Sequence, residues 1–257
     1  MTSHLIEDWP EQGICVLRLN RPEKYNALSR ALTDDFRAAI DGLLERGARV
    51  MALMASGKGF CAGADLTERN GMSEDEKLAH NRAISSLADT IAALPIPTLV
   101  GINGLALGGG CEISLACDIR YCVDTARIGL TEARIGAIPG AGGTQRLPRL
   151  IGVARALEMM YSGEPIDTTK AEAWGLVNRT FPDHEAMEAA ILDFARVVAK
   201  RSRRGTQLLK TVVYSGMDTA IANGLDGERI AVTEILKSND YREGIRAFAE
   251  RRDPDFD

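Results

Sequence analysis

Two glutamates, each set in a glycine-rich stretch, are the residues of this chain whose type and spacing best suit chemistry. Glu112 follows three glycines in LALGGGCEISLACD (Leu105 to Asp118) and precedes an apolar run. Glu132 stands at the head of TEARIGAIPGAGGTQRLPRLIG. Bare glycine backbone beside a half-buried carboxylate suits proton transfer to a substrate whose developing negative charge is held by main-chain N–H groups. Gly109 falls at the start of the predicted helix that carries Glu112, where an unpaired N–H and the positive helix end can face an anion. The plainer alternative is that the glycines permit close strand–helix packing, with both glutamates as first-turn acids favoured by the helix dipole. A third small-residue stretch, GKGFCAGADL (Gly57 to Leu66), has Ala64 near its turn.

Other site types lack their patterns. Neither glycine run has dinucleotide-binding GxGxxG spacing, Cys111 stands where a phosphate-binding loop needs lysine, and no GxSxG occurs. Five cysteines without CxxC spacing and three scattered histidines argue against zinc and for reduced, cytoplasmic thiols. The N-terminus is polar and acidic, with no export pattern. A net charge of −5 argues against nucleic acid or an anionic membrane as partner. The basic run KRSRR (Lys200 to Arg204) is still compatible with a small phosphate-bearing ligand. The most apolar window, Thr98 to Cys117, contains five glycines and Glu112, so it reads as buried core and not as a membrane span.

The elements that must position these residues follow from periodicity. GICVLRLNRP, RVMALMAS, PTLVGING and DIRYCV read as strands. Leu32, Phe36, Ile40, Leu43 and Leu44 recur at helical spacing between Ser29 and Gly47. SEDE (Ser73 to Glu76) has capping-box spacing and opens a helix to about Leu94; the helix after the glycines ends near Cys117. From 183 onward only helical periods remain, at about 183–203, 206–223, 225–238 and 240–252. The expected architecture is an α/β core followed by an all-helical tail.

Together, GKGFCAGADL, GINGLALGGGCEISLACDI and TEARIGAIPGAGGTQRLPRLIG, in this order and spacing, closely resemble the enoyl-CoA hydratase (crotonase) family. LNRPEKYNAL is similar to that family's N-terminal motif and REGIRAFAERRDPDF to its C-terminal helix. The resemblance implies a spiral of repeated ββα units over 1–195 and a helical trimerisation region over 196–257. It makes Ala64 and Gly109 the N–H donors of an oxyanion hole, and Glu112 and Glu132 the paired catalytic carboxylates. Ala64, Asp65, Leu66 and Thr67 would line the coenzyme A arm, largely through backbone, and Gly140 would sit near the reacting end of the acyl group. Lys24 reads either as a contact to coenzyme A phosphates or as a solvated surface lysine, and Phe248 and Arg251 would stand where relatives use phenylalanine and lysine near a coenzyme A site, often a neighbouring subunit's. Thr131 departs from the family, which often has proline there.

The implied activity is hydration of a 2-enoyl-CoA, with Glu112 as base and Glu132 as acid. The resemblance implies no metal or other cofactor, coenzyme A being part of the substrate, and assembly as a homotrimer or hexamer. The alternatives are an isomerase, a specialised hydratase or dehydratase such as a methylglutaconyl-CoA type, and a non-catalytic or RNA-binding relative. The intact acid pair and acidic balance oppose the last. Ile221, Leu225, Ile230, Ile235 and Leu236 are too many apolar residues for a short polar tail to hide unaided, which points to an interface.

Overall fold

The computed structural model describes residues 4–256. The chain opens on an antiparallel hairpin, β1 (Leu5–Glu11) and β2 (Ile14–Leu19), followed by α1 (Arg30–Ile40), whose first turn is capped by the Ser29 hydroxyl. β3 (Val50–Ala55) is buried at every position, as befits a parallel strand covered on both faces. α2 (Leu66–Asn70) and α3 (Glu74–Ala93) lead to β4 (Thr98–Ile102), β5 (Leu105–Leu107) and α4 (Gly109–Ala116). Then come β6 (Ile119–Val123), β7 (Arg127–Gly129), a 3-10 turn at Glu132–Ile135, α5 (Gly143–Ile151), α6 (Val153–Ser162), β8 (Ile166–Asp167), α7 (Thr168–Ala173) and β9 (Arg179–Phe181). The last helices are α8 (His184–Ala199), α9 (Arg203–Met217), α10 (Ile221–Ile235) and α11 (Asn239–Glu250).

The large sheet has strand order β1-β2-β3-β4-β6-β9 and is parallel from β2 onward. β5, β7 and β8 make a smaller sheet, and Cys61 joins its edge through a bridge to Ala106. Strand, strand and helix therefore repeat three times. β3 with the Cys61 bridge leads to α3, β4 with β5 to α4, and β6 with β7 to α5. This is the spiral of ββα units that the resemblance implies.

The capping box forms at Ser73 and Glu76 as read from the sequence. Three boundaries differ. The helix expected to run to Gly47 stops at Ile40, because Gly42 takes φ +88° and turns the chain; Leu43 is still buried. β1 is a strand that periodicity did not disclose, since an edge strand with exposed carboxylates carries little apolar pattern. The expected division at 195/196 cuts a continuous helix. α8 lies across β2, β3, β4 and β6 and buries Met187, Ile191 and Ala195, so the segment free of the sheet begins after it.

Polar contacts hold that segment to the core, among them Arg49 Nη2 donating to Arg201 O at 2.8 Å, and several of them gather at one carboxylate. Asp118 accepts from Thr98 N (2.8 Å), from Lys210 Nζ (2.9 Å) and from the Tyr214 hydroxyl (2.9 Å), so a single carboxylate ties α9 to the start of β4. Neither α9 nor α10 contains a buried residue.

Candidate active site

The site forms where the segment after β3 passes the turn from β5 into α4. Leu28 bridges this segment on both sides, its N–H donating to Gly63 O (2.8 Å) and its carbonyl accepting from Asp65 N (3.0 Å). The N–H between those bonds, that of Ala64, has no partner among the described residues. Neither has the N–H of Gly109, the first residue of α4, as expected of a helix start. The two lie side by side; a Cβ on Gly109 would stand 3.8 Å from Ala64 N. Two orphan donors together on rigid backbone form a cradle for one oxygen that gains negative charge.

The flanking glycines make that approach possible. Gly108 adopts φ +50° while its N–H donates to Gly129 O, and a Cβ there would lie 3.0 Å from Glu132 Oε1. Gly110 has no room for a side chain, since its Cβ would fall 2.3 Å from Cys61 O. The glycine run thus serves both of the roles the sequence left open, close packing and a bare donor.

A cavity of about 200 Å³ opens in front of these N–H groups, and Glu112 and Glu132 both line it. Exposed Leu66, Ile135 and Ile138 give it an apolar mouth. Four larger grooves, the two largest about 730 Å³ beside Arg49 and Phe256 and about 520 Å³ beside Asp118 and Tyr214, are lined by no buried carboxylate. No cluster of three or more His, Cys, Asp or Glu among the described residues is placed to hold a metal ion.

The carboxylates have unlike surroundings. Glu112 is 3% exposed, and its Oε1 accepts from Ala141 N (2.7 Å) and Gly143 N (2.8 Å). Burial pushes its carboxyl up, and those N–H groups pull it back by favouring the anion. Glu112 Oε2 takes part in neither of these two hydrogen bonds. Glu132 has a buried Oε2 with no hydrogen-bond partner. Burial first, and the charge of Glu112 in addition, raise it to about 7. The two acids are therefore stabilised differently: Glu112 Oε1 takes two main-chain N–H bonds that favour its anion, while the buried Oε2 of Glu132 takes none.

Of the residues singled out in the sequence, the fold brings together Ala64, Leu66, Gly109, Glu112, Glu132 and Gly140, with Thr131 beside them. Asp65 turns away: its carboxylate caps α2 at Glu68 N (3.1 Å) and pairs with Arg21 (3.2 Å). Lys24 and Thr67 are exposed, Phe248 is exposed on α11, and Arg251 ends that helix in a left-handed turn. None of these five lines the cavity of the single chain. Arg69 and Asn81 do line it and were not anticipated; Asn81 Nδ2 donates to Gly140 O at 3.4 Å. The short helix α2 and the polar face of α3 carry no sequence signal that would have selected either.

Comparison with known proteins points the same way. Residues 10–257 match the family model described as enoyl-CoA hydratase/isomerase. An enoyl-CoA isomerase/hydratase of Mycosarcoma maydis is 38% identical, over 95% of this chain and 92% of that protein. A mitochondrial methylglutaconyl-CoA hydratase of Mus musculus is 38% identical, over 98% of this chain and 82% of that protein. The solved enoyl-CoA hydratase of Bacillus anthracis superposes with a TM-score of 0.95 at 38% identity, over 98% of both chains.

The unlike environments have a direct readout. In carboxyl-carbon NMR, Glu132 should titrate near pH 7, protonated below and ionised above. In Glu112→Gln its midpoint should fall, because the neighbouring negative charge is gone, yet stay above the ordinary range because burial remains. An unchanged midpoint would mean that Glu112 is not ionised beside it.

Proposed function

The chain belongs to the enoyl-CoA hydratase/isomerase family, and from that premise we propose that it adds water across the Cα=Cβ bond of a 2-enoyl-CoA thioester. The observation that carries this reading is the pair of unpartnered N–H groups, Ala64 and Gly109, facing a cavity lined by two carboxylates in unlike surroundings, Glu112 buried and Glu132 half-buried.

Conjugate addition of water drives negative charge onto the thioester oxygen. Fixed N–H donors aimed there cost no reorganisation, and losing one such donor typically costs about 2.7–4 kcal/mol of barrier. Glu112, ionised and steadied at Oε1, accepts a proton from water at Oε2 as the water oxygen attacks Cβ. Glu132 delivers its proton to Cα as the enolate collapses. One proton is taken and one given, so the net change is addition of water. An isomerase needs only one group to move a proton along the chain; two carboxylates held in opposite states favour hydration. This chemistry asks for no resident metal or redox group, coenzyme A being part of the substrate. The apolar rim of Leu66, Ile135 and Ile138 suits the acyl and pantetheine portions.

No helix among the described residues is long and apolar enough to cross a membrane. Five free, buried thiols suit a reducing compartment, and we place the protein in the cytoplasm; the mouse relative's name puts that protein in the mitochondrion. We also propose a homotrimer or a dimer of trimers joined through α9 and α10. Supporting this, Met217, Ile221 and Ile230 are 64%, 79% and 71% exposed on helices that bury nothing within the chain. Lys24, Phe248 and Arg251, outside the cavity of one chain, would then meet coenzyme A at a subunit boundary.

Loss of crotonyl-CoA absorbance measures the reaction. Glu112→Gln and Glu132→Gln should each lower it by at least about 10²-fold, the lower scale for lost acid–base catalysis. The wild-type rate should fall as pH rises through about 7, a limb that Glu132→Gln removes. Near-normal turnover in either folded variant would remove that residue from the mechanism. Light scattering should give three or six times the chain mass at micromolar concentration; a monomer mass would sink the assembly.

A further inference from the structure

We infer that Arg146 is a positioning residue for Glu112. From outside the cavity it fixes the peptide unit that lies between the two main-chain N–H groups on which the Glu112 carboxylate rests. The inference rests on the hydratase reading above and deepens it.

Three successive peptide units, from Gly140 to Gly143, make up the clamp on Glu112 Oε1, and the carbonyl oxygen of each is held. Gly140 O belongs to the unit that donates through Ala141 N, and it accepts from Asn81 Nδ2 of α3 at 3.4 Å. Gly142 O belongs to the unit that donates through Gly143 N. It accepts from Gln145 N (3.0 Å) and Arg146 N (2.8 Å) in the first turn of α5. Between them, Ala141 O accepts from Arg146 Nη1 at 3.0 Å. The other arm of the same guanidinium, Nη2, pairs with Asp89 of α3 at 2.7 Å.

The middle unit sets the geometry. Gly142 takes φ +100°, a left-handed bend that only glycine adopts without strain. The Arg146 guanidinium lies across its α-carbon, so close that a Cβ there would collide with Nη1. Glycine also has the most backbone freedom to lose, so a bend of this kind does not by itself keep two N–H groups converging on one oxygen. Arg146 supplies the restraint, and Asp89 ties that restraint to a long helix. The planar fork of arginine suits this bridge, because its two arms meet a carbonyl and a carboxylate at once. Its positive charge also favours the Glu112 anion. Arg146 itself does not line the cavity. It reaches the chemistry only through the groups that hold Glu112.

The test is a double-mutant cycle on hydration of crotonyl-CoA, with Arg146→Met, Glu112→Gln and the two combined. Arg146→Met should lower kcat by about tenfold or more and leave KM within about twofold, because a small misplacement of the base is costly. Arg146→Lys should recover part of the loss, keeping the charge without the fork. Asp89→Asn changes an exposed side chain, so folding tolerates it, and should lower kcat in the same direction by a smaller factor. In the Glu112→Gln background Arg146→Met should cost less than about twofold, since no base is left to position. Hydrogen exchange read by mass spectrometry should quicken at 140–143 in Arg146→Met and stay as in wild type in β3 and β4. Equal losses in both backgrounds, a raised KM with kcat unchanged, or unaltered exchange at 140–143 would overturn the inference. A wild type that hydrates none of a panel of 2-enoyl-CoAs, with faster exchange confined to 140–143 in Arg146→Met, would keep the clamp and sink the hydratase reading instead.

Discussion

Everything at the centre of this chain depends on the crossing of two main-chain segments. The strand-like stretch Cys61–Ala64 runs against the turn from β5 into α4, close enough that Cys61 O occupies the space a side chain on residue 110 would need. Closeness of this kind sets the N–H groups of Ala64 and Gly109 side by side with no acceptor among the described residues. Unpaired donors at a partly enclosed surface cost stability, and folds keep such defects at places where a ligand satisfies them. The ββα spiral is what makes the crossing rigid. Both segments hang from buried parallel strands, β3 on one side and β4 on the other.

The carboxylates follow from that geometry. α4 starts at the crossing, so its first turn points Glu112 into the same space, where α5 and the loop before it offer the N–H groups of Ala141 and Gly143. Glu132 enters from the 3-10 turn after β7 and finds no donor at its buried oxygen. One acid is given two main-chain hydrogen bonds that favour its anion, while burial and a negative neighbour push the other up against its own N–H and the Arg69 charge. A fold that treated them alike would hold two anions or two neutral acids, and neither state moves a proton in both directions.

Much of this was legible from residue order alone, for reasons that can be named. β3 and β4 read as strands because parallel strands buried on both faces leave continuous apolar runs, and Ser73 with Glu76 is a local signal complete within four residues. Gly109 and Glu112 stood out because a glycine run followed by a lone acid in an apolar segment is rare enough to notice, while Ala64 and Glu132 took their roles from the family resemblance. Arg69 and Asn81 were not legible. Their meaning lies in contacts with His80 across a turn and with Gly140 fifty-nine residues away. The division placed at 195/196 failed for a related reason: α8 and α9 look alike in period, and only packing shows that the first belongs to the sheet.

The central claim is that Ala64 and Gly109 polarise a thioester carbonyl. Isotope-edited infrared spectroscopy of crotonyl-CoA labelled with carbon-13 at that carbonyl reads this directly, in a Glu112→Gln/Glu132→Gln double variant that holds the substrate without turning it over. The account predicts a carbonyl stretch shifted to lower frequency than in water, and a return toward the water value when Ala64→Pro removes one donor. A bound carbonyl with the same frequency as in water, in protein that still carries both N–H groups, would contradict it.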